Sequence, residues 1–470
     1  MPNPGVHVYE KATAAAIPAV AEVGIPFVTG LAPVHTAAKP AKSNTPVLCT
    51  SWDEAVEKLG FSEDWGTYTL CEFMYSHFQL FGCQPVVFCN VLDPTTMRKN
   101  EEAADYPVSD HRISLPFGAI ADGLKVSSGE TELAADEDFT VFYTDDACIV
   151  ELLSAGSAYE TDTLHVTYST VTPEAATTAD IVVGLSAIDA CMSTVGVVPD
   201  LICAPGYSHL STVAAIMATK AAGINGLFRA KALVDVSAAQ DGVQEYSGLK
   251  AWKDSHNMAD ENQILCWPMV RLGNYRFHLS TQLAGLMSTV DAGNAGIPYE
   301  SPSNKNLKMD GCCLENGAEV NLTFEQANII ASYGIVTALN FLSTGWTCRN
   351  NYTACYPGNA DVKDQFIPVS RMFDFVGNTL IRTFWVKLDK PMNRRLIDAI
   401  IDTCNIWLNG LVSQEYLLGA RVEFREDENS LVDLTAGIIR LHVYLTPPSP
   451  MVECDFTLEY DAGYVTSALS

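Results

Sequence analysis

Apolar positions in the last quarter of the chain fall into two periods. Between 366 and 388, Val369, Met372, Phe373, Val376, Leu380 and Phe384 recur every three or four residues, which places them on one helix face. Asp389-Lys390-Pro391 ends that helix and opens another, because proline fits the first turn of a helix and nothing deeper. The second helix carries Leu396, Ile397, Ile400, Ile401, Cys404, Trp407, Leu408 and Leu411 as its stripe. Two such wide apolar faces need a partner surface. Ile439, Leu441, Val443 and Leu445 alternate with Arg440, His442 and Tyr444, the pattern of a half-buried strand. Pro447-Pro448-Ser449-Pro450 is a stiff extended spacer. Beyond it Val452, Cys454, Phe456, Leu458 and Tyr460 alternate with Glu453, Asp455, Thr457 and Glu459. A well-patterned strand held away from its own domain by prolines suggests pairing with another subunit.

The earlier chain divides by pattern. Residues 1–24 read as an arm, with a short strand at Val6, His7, Val8 and Tyr9, and a spacer from Thr13 to Gly24 that spans roughly 40 Å when extended. Ile25–Leu31 and Pro85–Val91 read as buried strands, Ser51-Trp52-Asp53-Glu54 as a capping box, and Tyr68–Phe81 as a helix. From about 111 to 173 short alternating segments are separated by Gly, Asp and Ser, a small β module of sandwich or barrel type. Helix and strand then alternate again: helices at Ala179–Thr194, Ser211–Ala222 and Leu279–Thr289, strands at Leu201–Ala204, Leu233–Val236 and Ile264–Val270. The expected fold is therefore α/β and α+β multidomain. An α/β core (25–110 and 174–360) carries the inserted β module (111–173), a C-terminal α+β domain follows (361–446), and extended N- and C-terminal arms (1–24, 447–470) flank them.

Composition narrows the function. At 470 residues and 48% apolar content the chain exceeds one core and can bury substantial surface. Lys and Arg number 28 against 56 Asp and Glu, a formal charge of −28, which argues against nucleic acid or an anionic membrane as partner. No apolar run approaches a membrane span, and no signal peptide is visible. The 14 cysteines contain no Cys-x-x-Cys pair and suit buried thiols in a reducing cytoplasm.

Catalytic motifs are missing. No phosphate loop, dinucleotide loop, His-Glu-x-x-His or Gly-x-Ser-x-Gly elbow occurs, and no cofactor or metal is expected. Pro205-Gly206-Tyr207-Ser208-His209 offers a Ser-His neighbour pair, readable as the nucleophile and base of an α/β hydrolase-like enzyme. The plainer reading is a strand-to-helix turn in which Ser208 or Ser211 caps the next helix. Glu426-Asp427-Glu428 reads as a solvated turn.

Several segments together resemble the sheath proteins of contractile bacteriophage tails and phage-tail-like particles. They are Pro4-Gly5-Val6-His7-Val8-Tyr9-Glu10, Val198-Pro199-Asp200-Leu201-Ile202-Cys203-Ala204-Pro205-Gly206, Ala284-Gly285 and Thr289-Val290-Asp291 with Ser301-Pro302-Ser303-Asn304-Lys305, Gly345-Trp346-Thr347, Ile367-Pro368-Val369-Ser370-Arg371-Met372 and Leu418-Gly419-Ala420. The resemblance implies a structural role in a virion tail or similar particle made in a bacterial cytoplasm. Copies would stack as hexameric rings in a helical homo-oligomer around an inner tube, with baseplate and tail terminator proteins as further partners, and would contract to drive the tube through a cell envelope. It implies a C-terminal domain that touches the tube, where the basic pair Arg394 and Arg395 is the candidate contact. The arm strands Val6–Tyr9 and Val452–Tyr460 are expected to add to neighbouring copies beside Ile439–Leu445.

Overall fold

The computed structural model describes residues 18–342, 345–359, 361–461 and 464–465. It is a mixed α/β chain with several sheets. The largest has eight strands: β1 (Pro26–Gly30), β2 (Val47–Cys49), β3 (Val86–Asn90), β4 (Leu201–Cys203), β5 (Lys231–Asp235), β6 (Gln263–Cys266), β7 (Ile335–Leu339) and β8 (Thr347–Arg349). Their order is β8-β7-β6-β5-β4-β1-β3-β2. Neighbours from β7 to β3 run parallel, and the two edge strands are antiparallel. Every residue of the parallel strands is buried, so they read as near-continuous apolar runs and need cover on both faces. Helices α1 (Thr178–Ser186), α2 (Ser211–Ala222) and α3 (Leu279–Gly293) supply much of it. The expected strand Ile264–Val270 is two strands: β6 stops before Trp267-Pro268, and Met269–Leu272 joins a separate antiparallel sheet with Tyr275–Phe277 and Gly311–Cys313.

Two further sheets, of five and three strands, enclose their own apolar cluster around Val126, Phe139, Val150, Leu164 and Val166. Strands Arg98–Asn100 and Ala104–Pro107 pair with Thr163–Val171 and so belong with these sheets, ahead of the boundary expected at 111. They are short and mostly exposed, so they show no apolar alternation to read. His35 joins the two regions. Its Nε2 lies 3.0 Å from the carbonyl of Phe117, and its ring meets Phe117 and Tyr143 edge-on. Burial lowers its pKa to about 4, so the joint is neutral and apolar.

Helices α4 (Ile367–Phe384) and α5 (Arg394–Ser413) pack with a hairpin of β9 (Gly419–Phe424) and β10 (Leu441–Thr446). Their core holds Met372, Phe375, Val376, Cys404, Leu408 and Val422. Phe373, expected on the α4 stripe, is only half buried and Phe375 takes its place. The reason is that α4 buries two faces. Its second face carries Arg371, Asp374 and Asn378, three and four residues apart, and meets the large sheet.

That contact is ionic. Arg371 donates to Asp200 Oδ2 at 2.7 Å and to both oxygens of Asp291 at 3.0 and 2.6 Å. Lys231 on β5 lies 2.9 Å from Asp374 and donates to Asn262 at 3.1 Å. Asn378 exchanges two hydrogen bonds with the backbone of Arg229, at 2.9 and 2.8 Å. Asp200 also accepts the Ile25 amide at 2.8 Å, at the entry to β1. Burial raises the Asp291 pKa from 3.8 to about 6, with Arg371 opposing.

Arg371→Met should destabilise the fold by about 3–5 kcal/mol, because it strands two buried carboxylates. Asp291→Asn should cost less in urea denaturation, since a neutral acceptor remains for Arg371. The ionised Asp291 penalises the fold above its raised folded value of about 6, and the penalty shrinks as pH falls toward 3.8. The stability of Asp291→Asn relative to the parent should therefore fall between about pH 7 and about pH 5. A difference that is flat with pH contradicts this reading.

Candidate assembly site: the hairpin edge and the extended arms

The described part of the N-terminal arm lies on α4. The amide of Ala21 donates to Thr379 Oγ1 and that of Ala19 to Thr383 Oγ1, both at 3.0 Å. Ser288 Oγ donates to the carbonyl of Gly24 at 2.9 Å, and Ala21 is buried in the α4–α5 core. The spacer expected from Thr13 to Gly24 is thus docked from residue 18 onward. Val6, His7, Val8 and Tyr9 lie outside the described residues.

Residues 451–461 form no ladder with any described residue. Phe456, Leu458 and Tyr460 are 86%, 95% and 81% exposed, Val452 is 55% exposed, and Cys454 is exposed too. The expected strand is therefore not formed among the described residues, and its alternating apolar side chains are left exposed.

Among the described residues the hairpin has one closed edge and one open one. Val422 on β9 donates its amide to Asn405 Oδ1 at 2.8 Å, and Asn405 Nδ2 donates to the Val422 carbonyl at 3.2 Å. In an antiparallel ladder both groups of a residue point to the same side, so Val422 faces away from β10. Its partner across the ladder, Val443, then points its amide and carbonyl away from β9, and Leu441 and Leu445 do likewise. The expected acceptor strand from Ile439 starts at Leu441. Ile439 precedes it because Asn429 takes both main-chain groups of Arg440, at 2.8 Å each, and closes the strand start.

Arg394 and Arg395 sit exposed in the first turn of α5, after the Asn393 cap. Arg394 donates to Asp398 on the same helix at 2.9 Å. Arg395 has no ion pair among the described residues. Trp385, Val386 and Leu388 are exposed in the turn between the two helices.

The hydrolase reading loses its geometry. Ser208 Oγ is buried, donates to Asp235 Oδ2 at 3.1 Å and accepts the Asp235 amide at 2.9 Å. Its partner is Asp235, and His209 makes no bond to it. A crevice of about 650 Å³ does open at the carboxyl ends of β4, β5 and β6, lined by Trp65, His209, Asp235, Tyr275, His278 and Glu315 among others. This is where open α/β sheets hold ligands. Here the chain's own carboxylates fill the helix-start positions that favour anions. Glu72 accepts the His278 amide at 2.6 Å and lies 2.8 Å from His278 Nδ1, and Asp235 accepts the Ser280 amide at 3.0 Å. Burial works to lower the His278 pKa, but Glu72 and then Asp235 raise it to about 9. Among the described residues no group of three or more His, Cys, Asp or Glu could hold a metal, and no helix is long and apolar enough to cross a membrane. The described cysteines are all free thiols, buried except Cys83 and Cys454.

Fold and arms together set the chain beside the subunits of contractile sheaths. No protein-family model matches the chain. The tail sheath protein of Burkholderia phage BcepMu is 23% identical over 481 residues, covering 98% of this chain and 97% of its own length. The tail sheath protein of Escherichia phage P2 is 22% identical over 301 residues, 61% of this chain and 70% of its own length. The same fold occurs in the sheath complex of the PVC extracellular contractile injection system in its contracted state, with TM-score 0.59, 14% identity and 99% of each chain covered. It occurs also in the baseplate of the anti-feeding prophage, with TM-score 0.58, 14% identity and 98% and 99% covered. The chain is thus similar over nearly its whole length to a tail sheath protein and shares the fold of contractile sheath subunits, and the hydrolase alternative finds no support.

His278 adds a pH dependence of its own. Its folded value of about 9 exceeds the ordinary 6.5, so its contribution is whole below 6.5 and is lost as pH rises through about 9. The thermal midpoint should fall between about pH 7 and about pH 10, and His278→Gln should be lower at pH 7 but flatter across that range. Parallel curves for parent and variant would remove His278 as the cause.

Proposed function

We propose that copies of this chain stack as rings in a helix around an inner tube, and that the assembly shortens to drive the tube through a cell envelope. One observation carries the reading: after a proline spacer the chain holds an alternating apolar segment that pairs with no described residue and, on the same unit, a hairpin edge with outward main-chain groups. Contraction requires neighbours to rotate and slide without parting. Side-chain interfaces must break and re-form in that motion. Main-chain pairing in an exchanged strand can persist through it, since it depends on backbone more than on side-chain shape and each bond contributes about 0.5–1.5 kcal/mol. In this reading the α4–α5 unit (361–446) is innermost, the large-sheet region (25–97 and 174–360) lies outside it, and the inserted β module faces outward. The partners are further copies of the chain, an inner tube protein, and baseplate and terminator proteins, with the whole placed in a virion tail or related particle. Both arms, Val6–Tyr9 and Val452–Tyr460, link neighbours at the hairpin. Arg395, with Arg394 beside it, meets acidic groups of the tube.

Deleting residues 451–470, or residues 1–12, should leave a folded protein that cannot form tubes. Negative-stain microscopy decides it: tubes of normal order from either truncation mean the arms are not the links. Charge reversal, Arg394→Glu with Arg395→Glu, should weaken assembly on tubes while the melting temperature of the free subunit holds within a few degrees, as expected for exposed side chains. Undiminished assembly on tubes would exclude this contact.

A further inference from the structure

A two-stranded ribbon offers two edges, and both recruit strands unless something prevents it. In this hairpin the two edges differ. Along β9 runs helix α5, and Asn405 takes both the amide and the carbonyl of Val422. A side-chain carboxamide matches the donor and acceptor of a peptide group, so it stands where the next strand's backbone would be. Along β10 the amides and carbonyls of Leu441, Val443 and Leu445 point outward, and no side chain among the described residues bonds them.

We propose that Asn405 fixes the direction of strand exchange: it seals β9, so that the C-terminal arm of a second copy joins the hairpin at β10 alone. This rests on the strand-exchange reading above and adds which edge is used and which residue excludes the other. The occupant follows from the chain itself. Residues 452–460 are exposed and form no ladder with any described residue, and Pro447, Pro448 and Pro450 stiffen the chain ahead of them where a hairpin return onto their own β10 would need a turn. The faces also agree. Neighbouring strands share a face residue by residue, so Val452, Phe456 and Leu458 lie beside the inward Leu441, Val443 and Leu445. Glu453, Asp455 and Glu459 then lie beside Arg440 and His442 on the other face, opposite charges at cross-strand distance. With β9 closed, any further strand must add outside this arm, and the intersubunit sheet extends in one direction only.

The test is disulfide trapping in assembled full-length protein carrying Cys454→Ser. Glu453, Asp455, Thr457 and Glu459 are each changed to Cys, paired with His442→Cys on β10 or with Glu423→Cys, which faces it on β9. A disulfide needs the Cα atoms within about 7 Å, which only adjacent strands provide. Intersubunit disulfides are expected with His442→Cys for at least one arm position and with Glu423→Cys for none. Adding Asn405→Ala, with folding checked by circular dichroism, should make the Glu423→Cys disulfides appear. Trapping at Glu423→Cys while Asn405 is present overturns the seal but leaves strand exchange standing. No change on Asn405→Ala overturns Asn405 as its cause. Tubes that form without trapping at either strand reject the strand-exchange reading itself.

Discussion

One buried guanidinium holds the molecule together as a single body. Arg371 leaves the α4–α5 unit and ends between Asp200, at the entry to β4, and Asp291, near the end of α3. A charge placed there without partners would cost several kcal/mol, so the two regions are bound to keep their relative position. Lys231 with Asp374, and Asn378 with the backbone of Arg229, repeat the contact along the same face of α4. An apolar seam would tolerate sliding. A row of paired charges and directional hydrogen bonds has one register, and every surface on the α4–α5 unit inherits its orientation from it.

The hairpin stands at the opposite extreme. Two strands make a marginal sheet in water. This one is kept by α5 behind it and by the Arg421 guanidinium over the Tyr444 ring, 3.9 Å from its centroid. Its open edge is therefore an incomplete structure. The exposed arm, Val452 to Tyr460, is incomplete in the complementary way, with side chains arranged for a sheet face and no sheet. Under the proposed assembly, these two halves are what one copy offers the next.

What could be read from sequence follows from distance along the chain. The two long helices, most of the strand expected at Ile439–Leu445 and most of the parallel strands announce themselves through local period, and the structure keeps them, while Ile264–Val270 breaks at Trp267-Pro268 and Ile335–Leu339 escaped the reading. The polar face of α4 does not. Arg371 finds its partners 80 and 171 residues away, and nothing near it in sequence says that a charged residue on a helix should be buried. Asn405 is similar. It reads as a solvent position on an amphipathic helix, and its role is set by a strand 17 residues on. The start of the β module was hidden for another reason: Arg98–Asn100 and Ala104–Pro107 are paired through backbone, and their exposed side chains carry no pattern.

The docking of residues 18–24 on α4 has a mechanical meaning. The N-terminal arm is fastened at Thr379 and Thr383, and the C-terminal arm continues from β10 on the same unit. In the proposed assembly, tension between the two arms would cross the molecule by a short route through α4, α5 and the hairpin. The eight-stranded sheet and the β module would hang beside that route and carry little of the load. Such a layout frees most of the chain from mechanical duty, so the outlying regions can differ widely in sequence and size while the tension-bearing strip keeps its geometry.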